Sequence, residues 1–185
     1  MNAVGNRAVF LDRDGTINTD TNYGFRLSDL RFEEGAVEGL RLMQRKEYKL
    51  IIITDQSGIA RGLFREADMH RFNEELLDRL KLRGVYIRGI YYCPHHPEGK
   101  IAKYRKVCKC RKPEIGLIKI ASAEHRIDLS QSYMVGDKMR DILTGKNAGL
   151  TTILVKTGHA GNDSQEENEP DFTAKDLVGT ARFLR

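Results

Sequence analysis

Short apolar runs punctuate an otherwise polar chain, and each is followed by a stretch in which apolar positions recur three or four residues apart. Val9 to Leu11, Leu50 to Thr54, Ile87 to Tyr92, Tyr133 to Val135 and Thr151 to Val155 read as short strands. Their near-continuous hydrophobicity is that of strands covered on both faces. Between them the spacing predicts helices from about Gly35 to Lys46, from Arg65 to Leu82, and from Pro113 to Glu124, the last opened by its proline. A further helix follows Gly136-Asp137 and ends near Gly149, and a last one runs from Lys175 to Leu184. Met69, Phe72, Leu76 and Leu80 have the spacing of one helix face and read as core. Strands separated by helices imply an α/β fold with a doubly wound, mainly parallel sheet.

At 185 residues the chain is expected to form a single domain over its whole length, 1–185, able to bury a core without crosslinks. It has no internal repeat, and the polar stretch from Gly158 to Pro170 reads as a mobile surface loop. No apolar run approaches the ~20 residues of a membrane span, and no signal peptide opens the sequence. A cytoplasmic protein with no membrane partner is expected. The net charge of +5 favours anionic ligands, but Lys and Arg are interleaved with acids instead of massed on one arm. That distribution argues against a nucleic-acid partner and for a small, anionic substrate such as a sugar phosphate.

Asp12-Arg13-Asp14-Gly15-Thr16 follows the first strand directly, where an open α/β sheet places its chemistry. Two carboxylates two residues apart can converge on one ligand, Asp12 attacking and Asp14 handling a proton, with Gly15 making the turn. The same residues also suit an Asx turn that ends a strand. Three further segments bear on the choice: Thr54 closing the second strand, Arg111-Lys112-Pro113, and Gly136-Asp137 closing the fourth. A nucleophilic Asp, a hydroxyl, a Lys and a distal Asp make a kit for moving a phosphoryl group.

All three cysteines lie between Cys93 and Cys110, as Cys93-Pro94-His95 and Cys108-Lys109-Cys110. Four soft ligands in two matched pairs suit a tetrahedral Zn²⁺ site that is closed and therefore structural. His95 fits the matched spacing, and the adjacent His96 is the competing ligand. Lys106, Lys109 and Arg111 offset the charge of three thiolates. Folded on zinc, this loop would carry Arg111 and Lys112 over the site.

The four segments resemble the motifs of the haloacid dehalogenase (HAD) superfamily of phosphohydrolases. The Cys/His loop before Arg111-Lys112-Pro113 is similar to that of the zinc-bearing HAD phosphatases, whose two branches act on histidinol phosphate and on heptose 1,7-bisphosphate. Gln56 to Gly62 and Cys93 to Gly99 favour the heptose branch, which serves nucleotide-activated heptose for lipopolysaccharide core or surface glycans. The resemblance covers roughly residues 8 to 160. It departs at Asp55, where that family usually has Asn. The extra carboxylate must point away, pair with a cation or alter substrate preference.

The resemblance implies a HAD-type, Rossmann-like fold without a large cap domain, leaving the loop from Ile17 to Phe32 and the zinc loop as lids. It implies an aspartyl-phosphate on Asp12, Asp14 as general acid and base, and Thr54 and Lys112 as donors to the transferring oxygens. Mg²⁺ would be held by Asp12, Asp137 and the backbone carbonyl of Asp14, and Zn²⁺ by Cys93, His95, Cys108 and Cys110. Asp20, Thr21, Asn22, Tyr23, Asp55, Gln56, Ser57 and Lys138 would line the substrate pocket, and Arg111 would read the substrate away from the reacting phosphate. Asp141 is a partner for Lys112, an outer metal ligand or a helix-surface acid. A monomer is expected. Alternative readings are a phosphatase for histidinol phosphate or another small phosphomonoester, and, from a different class, a nucleic-acid-binding zinc-loop module on a HAD scaffold.

Overall fold

The structure, a computed structural model, describes residues 6–163 and 169–185. Six parallel strands form one sheet in the order β3-β2-β1-β4-β5-β6. They are β1 (Ala8–Leu11), β2 (Lys49–Asp55), β3 (Ile87–Cys93), β4 (Tyr133–Gly136), β5 (Thr151–Val155) and β6 (Phe172–Ala174). The helices are α1 (Ala36–Arg45), α2 (Gly58–Arg61), α3 (Glu66–Lys81), α4 (Gly116–His125), α5 (Met139–Asn147) and α6 (Leu177–Thr180). The chain builds outward from β1 to β3, then crosses back to lay β4 against the other side of β1. That reversal opens a crevice at the carboxyl ends of β1 and β4, where ligands bind in open α/β sheets.

Alternate strand residues feed two cores. Val9, Leu11, Leu50, Ile52, Val135 and Ile153 pack with Leu40, Phe72, Leu76 and Leu177 from α1, α3 and α6. Ala8, Phe10, Ile51, Ile53 and Met134 face the other way, onto Leu117, Ile118 and Ala121 of α4. Both sets are essentially solvent-free, which is why the strands are apolar throughout. Cys93 belongs to the second core, with Cys108 and Cys110 packed against it, so the cysteine loop is rooted in the sheet.

Several boundaries depart from the sequence pattern. The helix expected from Pro113 begins at Gly116, because residues 111–114 turn first, with Glu114 N donating to Arg111 O at 2.8 Å. The helix expected over Lys175 to Leu184 shrinks to Leu177–Thr180. Asp176 caps it by accepting from Gly179 N at 2.8 Å, and the chain then unwinds to bury Leu184 in the core. Strand β6 escaped notice because only Ala174 of its three residues is buried, too little for an alternating pattern. The stretch from Gly158 is no free surface loop in its first part: residues 157–163 fold over the end of β4. Gly161 N donates to Asp137 O at 2.7 Å, and Asp163 Oδ1 accepts from Met139 N at 2.6 Å at the start of α5. Residues 164–168 of that stretch lie outside the described residues.

Candidate active site

The chain leaves β1 at Asp12, whose N–H still donates to Val135 O of β4 at 2.9 Å. Gly15 then turns with φ +83°, and a Cβ there would stand 2.4 Å from Asp137 Oδ2. Gly158, at φ +55°, closes on the same carboxylate from the other side, 2.3 Å from where its Cβ would be. Only glycine at both positions lets the two loops meet over Asp137.

Asp12 is buried, and its Oδ1 accepts from Arg13 N at 2.8 Å and lies 2.9 Å from Lys112 Nζ. Lys112 is anchored further by Asp141 Oδ1 at 2.5 Å and Ile53 O at 3.3 Å. Burial opposes the charge on Lys112, but the Asp12, Asp141 and Asp55 carboxylates outweigh it and hold the ammonium protonated well above the ordinary lysine range. Asp141 is therefore the buried partner of Lys112, not a helix-surface acid.

Asp14 is fixed by three donors. Arg13 reaches both its oxygens, at 2.9 Å for Nη2 to Oδ2, while Asn18 Nδ2 and Gln56 Nε2 donate to it at 2.9 and 3.0 Å. The same Gln56 amide donates to Thr54 Oγ1 at 2.9 Å, tying the ends of β1 and β2 together. Arg13, fully buried, lies over the Phe72 ring at 4.6 Å and donates to Asn73 Oδ1 at 2.8 Å. Its only signal in the sequence was its place between the two aspartates.

Asp137 Oδ2 accepts from His159 N at 2.7 Å, while Oδ1 is buried with no hydrogen-bond partner. Burial and the neighbouring Asp12 carboxylate push Asp137 up to about 7. Asp12, Asp137 and Asp141 offer oxygens within 4.8 Å of one another, and with Asp141 committed to Lys112 the other two present an adjacent pair of carboxylates. That donor set, all hard oxygen, suits Mg²⁺.

Cys93, His95, Cys108 and Cys110 also converge. Their sulfurs are 3.1, 3.3 and 3.5 Å apart, and His95 Nδ1 lies 3.2 Å from Cys110 Sγ. A tetrahedral zinc with bonds of about 2.3 Å spaces its sulfurs by roughly 3.8 Å, so this cage admits the ion after opening by a fraction of an ångström. Burial and the Cys110 thiol beside it push the Cys93 thiol far above its ordinary value. His96 points elsewhere, with Nε2 2.9 Å from Arg61 Nη2.

The crevice is a cavity of about 380 Å³ lined by Asp12, Asp14, Thr54 and Lys112 at its base and by Asp20, Asn22, Tyr23, Asp55, Gln56, Ser57, Arg111 and Lys138 on its walls. Thr21 is not among them: it is exposed, and its hydroxyl turns onto Gly24, 2.3 Å from where a Cβ would stand. Lys138 pairs with Asp20 at 3.0 Å, joining the first lid to α5. Both lids pack on the segment that opens α3: Phe25 of the first stacks on Phe64 at 5.3 Å, and Glu66 accepts from Tyr104 of the cysteine loop at 2.6 Å. Asp55 pairs with cations: its Oδ2 lies 3.7 Å from Arg111 Nη1 and 4.0 Å from Arg140 Nη1, while its Oδ1 accepts from the Lys112 backbone N–H at 3.3 Å. Sequence reasoning missed Arg61, His96, Arg140 and His159, which also line the cavity. Arg61 and His96 lie within segments that carry the family resemblance but have no role of their own there, His96 being weighed only as a zinc ligand, and Arg140 and His159 have no spacing signal.

Known proteins carry the same organisation. A HAD-hydrolase-like family model matches residues 109–180. The D-glycero-beta-D-manno-heptose-1,7-bisphosphate 7-phosphatase of Haemophilus ducreyi is 44% identical over 185 residues, covering 98% of this chain and 100% of that one. The chain belongs to this phosphatase family. The Escherichia coli member is 41% identical over 96% of this chain and 93% of its own. Among solved structures, the D,D-heptose 1,7-bisphosphate phosphatase of B. bronchiseptica, complexed with magnesium and phosphate, superposes with a TM-score of 0.82. That match is 26% identical and covers 95% of this chain and 96% of that one. Family membership accords with the capless, six-stranded parallel HAD fold, and among the described residues no helix is long and apolar enough to cross a membrane.

Proposed function

We propose that this phosphatase removes the 7-phosphate of D-glycero-D-manno-heptose 1,7-bisphosphate, supplying nucleotide-activated heptose for surface glycans. The observation that carries the reading is the convergence of Asp12, Asp14, Thr54 and Lys112 at the base of one cavity in a chain 44% identical to a phosphatase of that name. Among the described residues, Arg13 N and Lys112 Nζ both contact Asp12 at Oδ1, which leaves Oδ2 to attack phosphorus. The Asp12 oxygen–phosphorus bond forms as the phosphorus–sugar oxygen bond breaks, and Asp14 delivers a proton to the departing sugar oxygen. Asp14, now a carboxylate, takes the proton from the water that attacks the aspartyl-phosphate and releases inorganic phosphate. Gln56, Asn18 and Arg13 hold Asp14 in place for both transfers. Lys112 and the Thr54 hydroxyl stabilise the equatorial oxygens, where charge spreads in the transition state.

Asp12 and Asp137, with the carbonyl of Asp14, would hold Mg²⁺. When bound, it supplies neutralisation of the negative charge that nucleophile and phosphate share. Cys93, His95, Cys108 and Cys110 would hold a structural Zn²⁺ that keeps Arg111 and Lys112 over the cavity. The protein acts as a cytoplasmic monomer on a small sugar phosphate, with neither nucleic acid nor membrane as partner. Arg111, Asp20, Asn22, Tyr23, Gln56, Ser57 and Lys138 would contact the sugar and its second phosphate, with Asp55 holding Arg111.

The test is phosphate release with Mg²⁺ across both heptose 1,7-bisphosphate anomers, fructose 1,6-bisphosphate and histidinol phosphate. The highest kcat/KM is expected for a heptose bisphosphate, and a preference for histidinol phosphate would contradict the reading.

A further inference from the structure

Three guanidiniums, those of Arg61, Arg111 and Arg140, line the cavity from α2, the end of the cysteine loop and α5. Arg140 is held from two sides. Its Nη1 lies 4.0 Å from Asp55 Oδ2 and its Nε 3.5 Å from Asp163 Oδ2, the carboxylate that also accepts from Met139 N. Arg111 Nη1 lies 3.7 Å from the same Asp55 oxygen. Asp55 Oδ2 is buried and has no hydrogen-bond partner.

These contacts are ion pairs too long to be hydrogen bonds, so they orient both guanidiniums without engaging the donors that face Asp55; Arg111 Nη1 makes one long contact besides, to His95 O at 3.5 Å. Both Nη1 atoms approach one oxygen, which keeps them within the span of a single phosphate group. The transferring phosphate already has a dedicated cation in Lys112, buried at the base beside Asp12. The arginines on the wall are surplus to the chemistry and available to a second anion.

We propose that Arg140 is a further specificity-determining residue, which grips with Arg111 the phosphate that is not transferred, and that Asp55 is the positioning residue holding both guanidiniums on one carboxylate. The assignment rests on the bisphosphate reading above. Two forked guanidiniums on one phosphate give bidentate recognition, which a sugar monophosphate cannot use.

The experiment measures kcat/KM for removal of the 7-phosphate from heptose 1,7-bisphosphate and from heptose 7-phosphate, in the wild type, Arg140→Ala, Arg140→Gln, Asp55→Asn and the double variant Asp55→Asn with Arg140→Ala. The wild type should prefer the bisphosphate. Arg140→Ala should lower that preference ~10–100-fold, the value of one or two charge-assisted hydrogen bonds, mainly through KM. Arg140→Gln, which keeps the bulk of the side chain, should lose most of the preference as well. Asp55→Asn should lower the preference in the wild-type background and do so less when Arg140 is already alanine, a coupling that a purely structural role would not produce. A wild type without preference for the bisphosphate would overturn the substrate reading and this assignment with it. A wild type that prefers the bisphosphate, alongside well-folded Arg140 variants that keep the full preference or lose equally on both substrates, would overturn the assignment alone.

Discussion

Lys112 Nζ stands 2.9 Å from Asp12 Oδ1 and 2.5 Å from Asp141 Oδ1, and all three side chains are almost wholly buried. Among the described residues, no other cation lies within ion-pair distance of either carboxylate. Lys112→Ala leaves both unpaired and should cost about 3–5 kcal/mol in stability, the usual penalty for breaking a buried pair. It should also abolish turnover on every phosphate ester. Lys112→Met combined with Asp141→Asn should regain stability without regaining activity. Urea unfolding run beside phosphate release checks both, and a Lys112→Ala protein as stable as the wild type would show that the pair contributes nothing to the fold.

Proton and magnesium should compete at Asp137. Its folded pKa of about 7 lies above the unfolded value of 3.8, so the native state holds the extra proton in between. Without Mg²⁺, this group's contribution to stability therefore declines as pH rises from about 4 through 7. A cation that prefers the carboxylate reverses the loss. Added Mg²⁺ should raise Tm more at pH 8 than at pH 6, and Asp137→Asn should abolish that difference. Equal Mg²⁺ shifts at the two pH values would mean that Asp137 is not the group displaced.

Purified protein should contain about one equivalent of zinc, and Cys108→Ser should lower Tm while leaving Asp12 able to react. The two adjacent histidines separate cleanly. His95→Ala should lose zinc, whereas His96→Ala should keep it, because His96 faces Arg61. Metal analysis of the two variants decides the ligand, and zinc lost from the His96 variant but kept in the His95 variant would reverse it.

How much of this was legible in the sequence follows from the kind of contact involved. The strands were visible because burial on both faces leaves uninterrupted apolar runs such as Leu50 to Ile53, and α3 because Met69, Phe72, Leu76 and Leu80 share a face. Asp12, Asp14, Thr54, Lys112 and Asp137 announced themselves by position, each at or just beyond the end of a strand or beside a proline. The cysteine cage was legible from paired spacing. What stayed hidden depends on distant backbone: the 157–163 strap serves Asp137 through the main-chain N–H of His159, which no residue type signals. Arg13 likewise acquires its role only when Phe72 and Asn73, from α3, close over it. Thr21 misled because a loop beside the cavity need not turn every polar side chain inward.

Arg111 is set back from Asp12 by its pairing with Asp55 and its 3.5 Å contact to His95 O. Its binding energy should be realised only with a substrate that extends to it. Arg111→Ala should lower kcat/KM for heptose 1,7-bisphosphate by ~10–10³-fold, equivalent to ~1.4–4 kcal/mol, and lower p-nitrophenyl phosphate hydrolysis far less. Equal losses on the two substrates would assign Arg111 to the transferring phosphate instead.

The most direct measurement follows heptose 1,7-bisphosphate by phosphorus NMR with the wild type and Asp12→Asn, each with Mg²⁺. Turnover by the wild type should remove the signal of the 7-phosphate and leave the 1-phosphate attached, and acid quenching should trap phosphate on the protein. Asp12→Asn, with the same fold and zinc content, should show neither product nor trapped phosphate. Release of the 1-phosphate, or undiminished turnover by Asp12→Asn, would contradict the account.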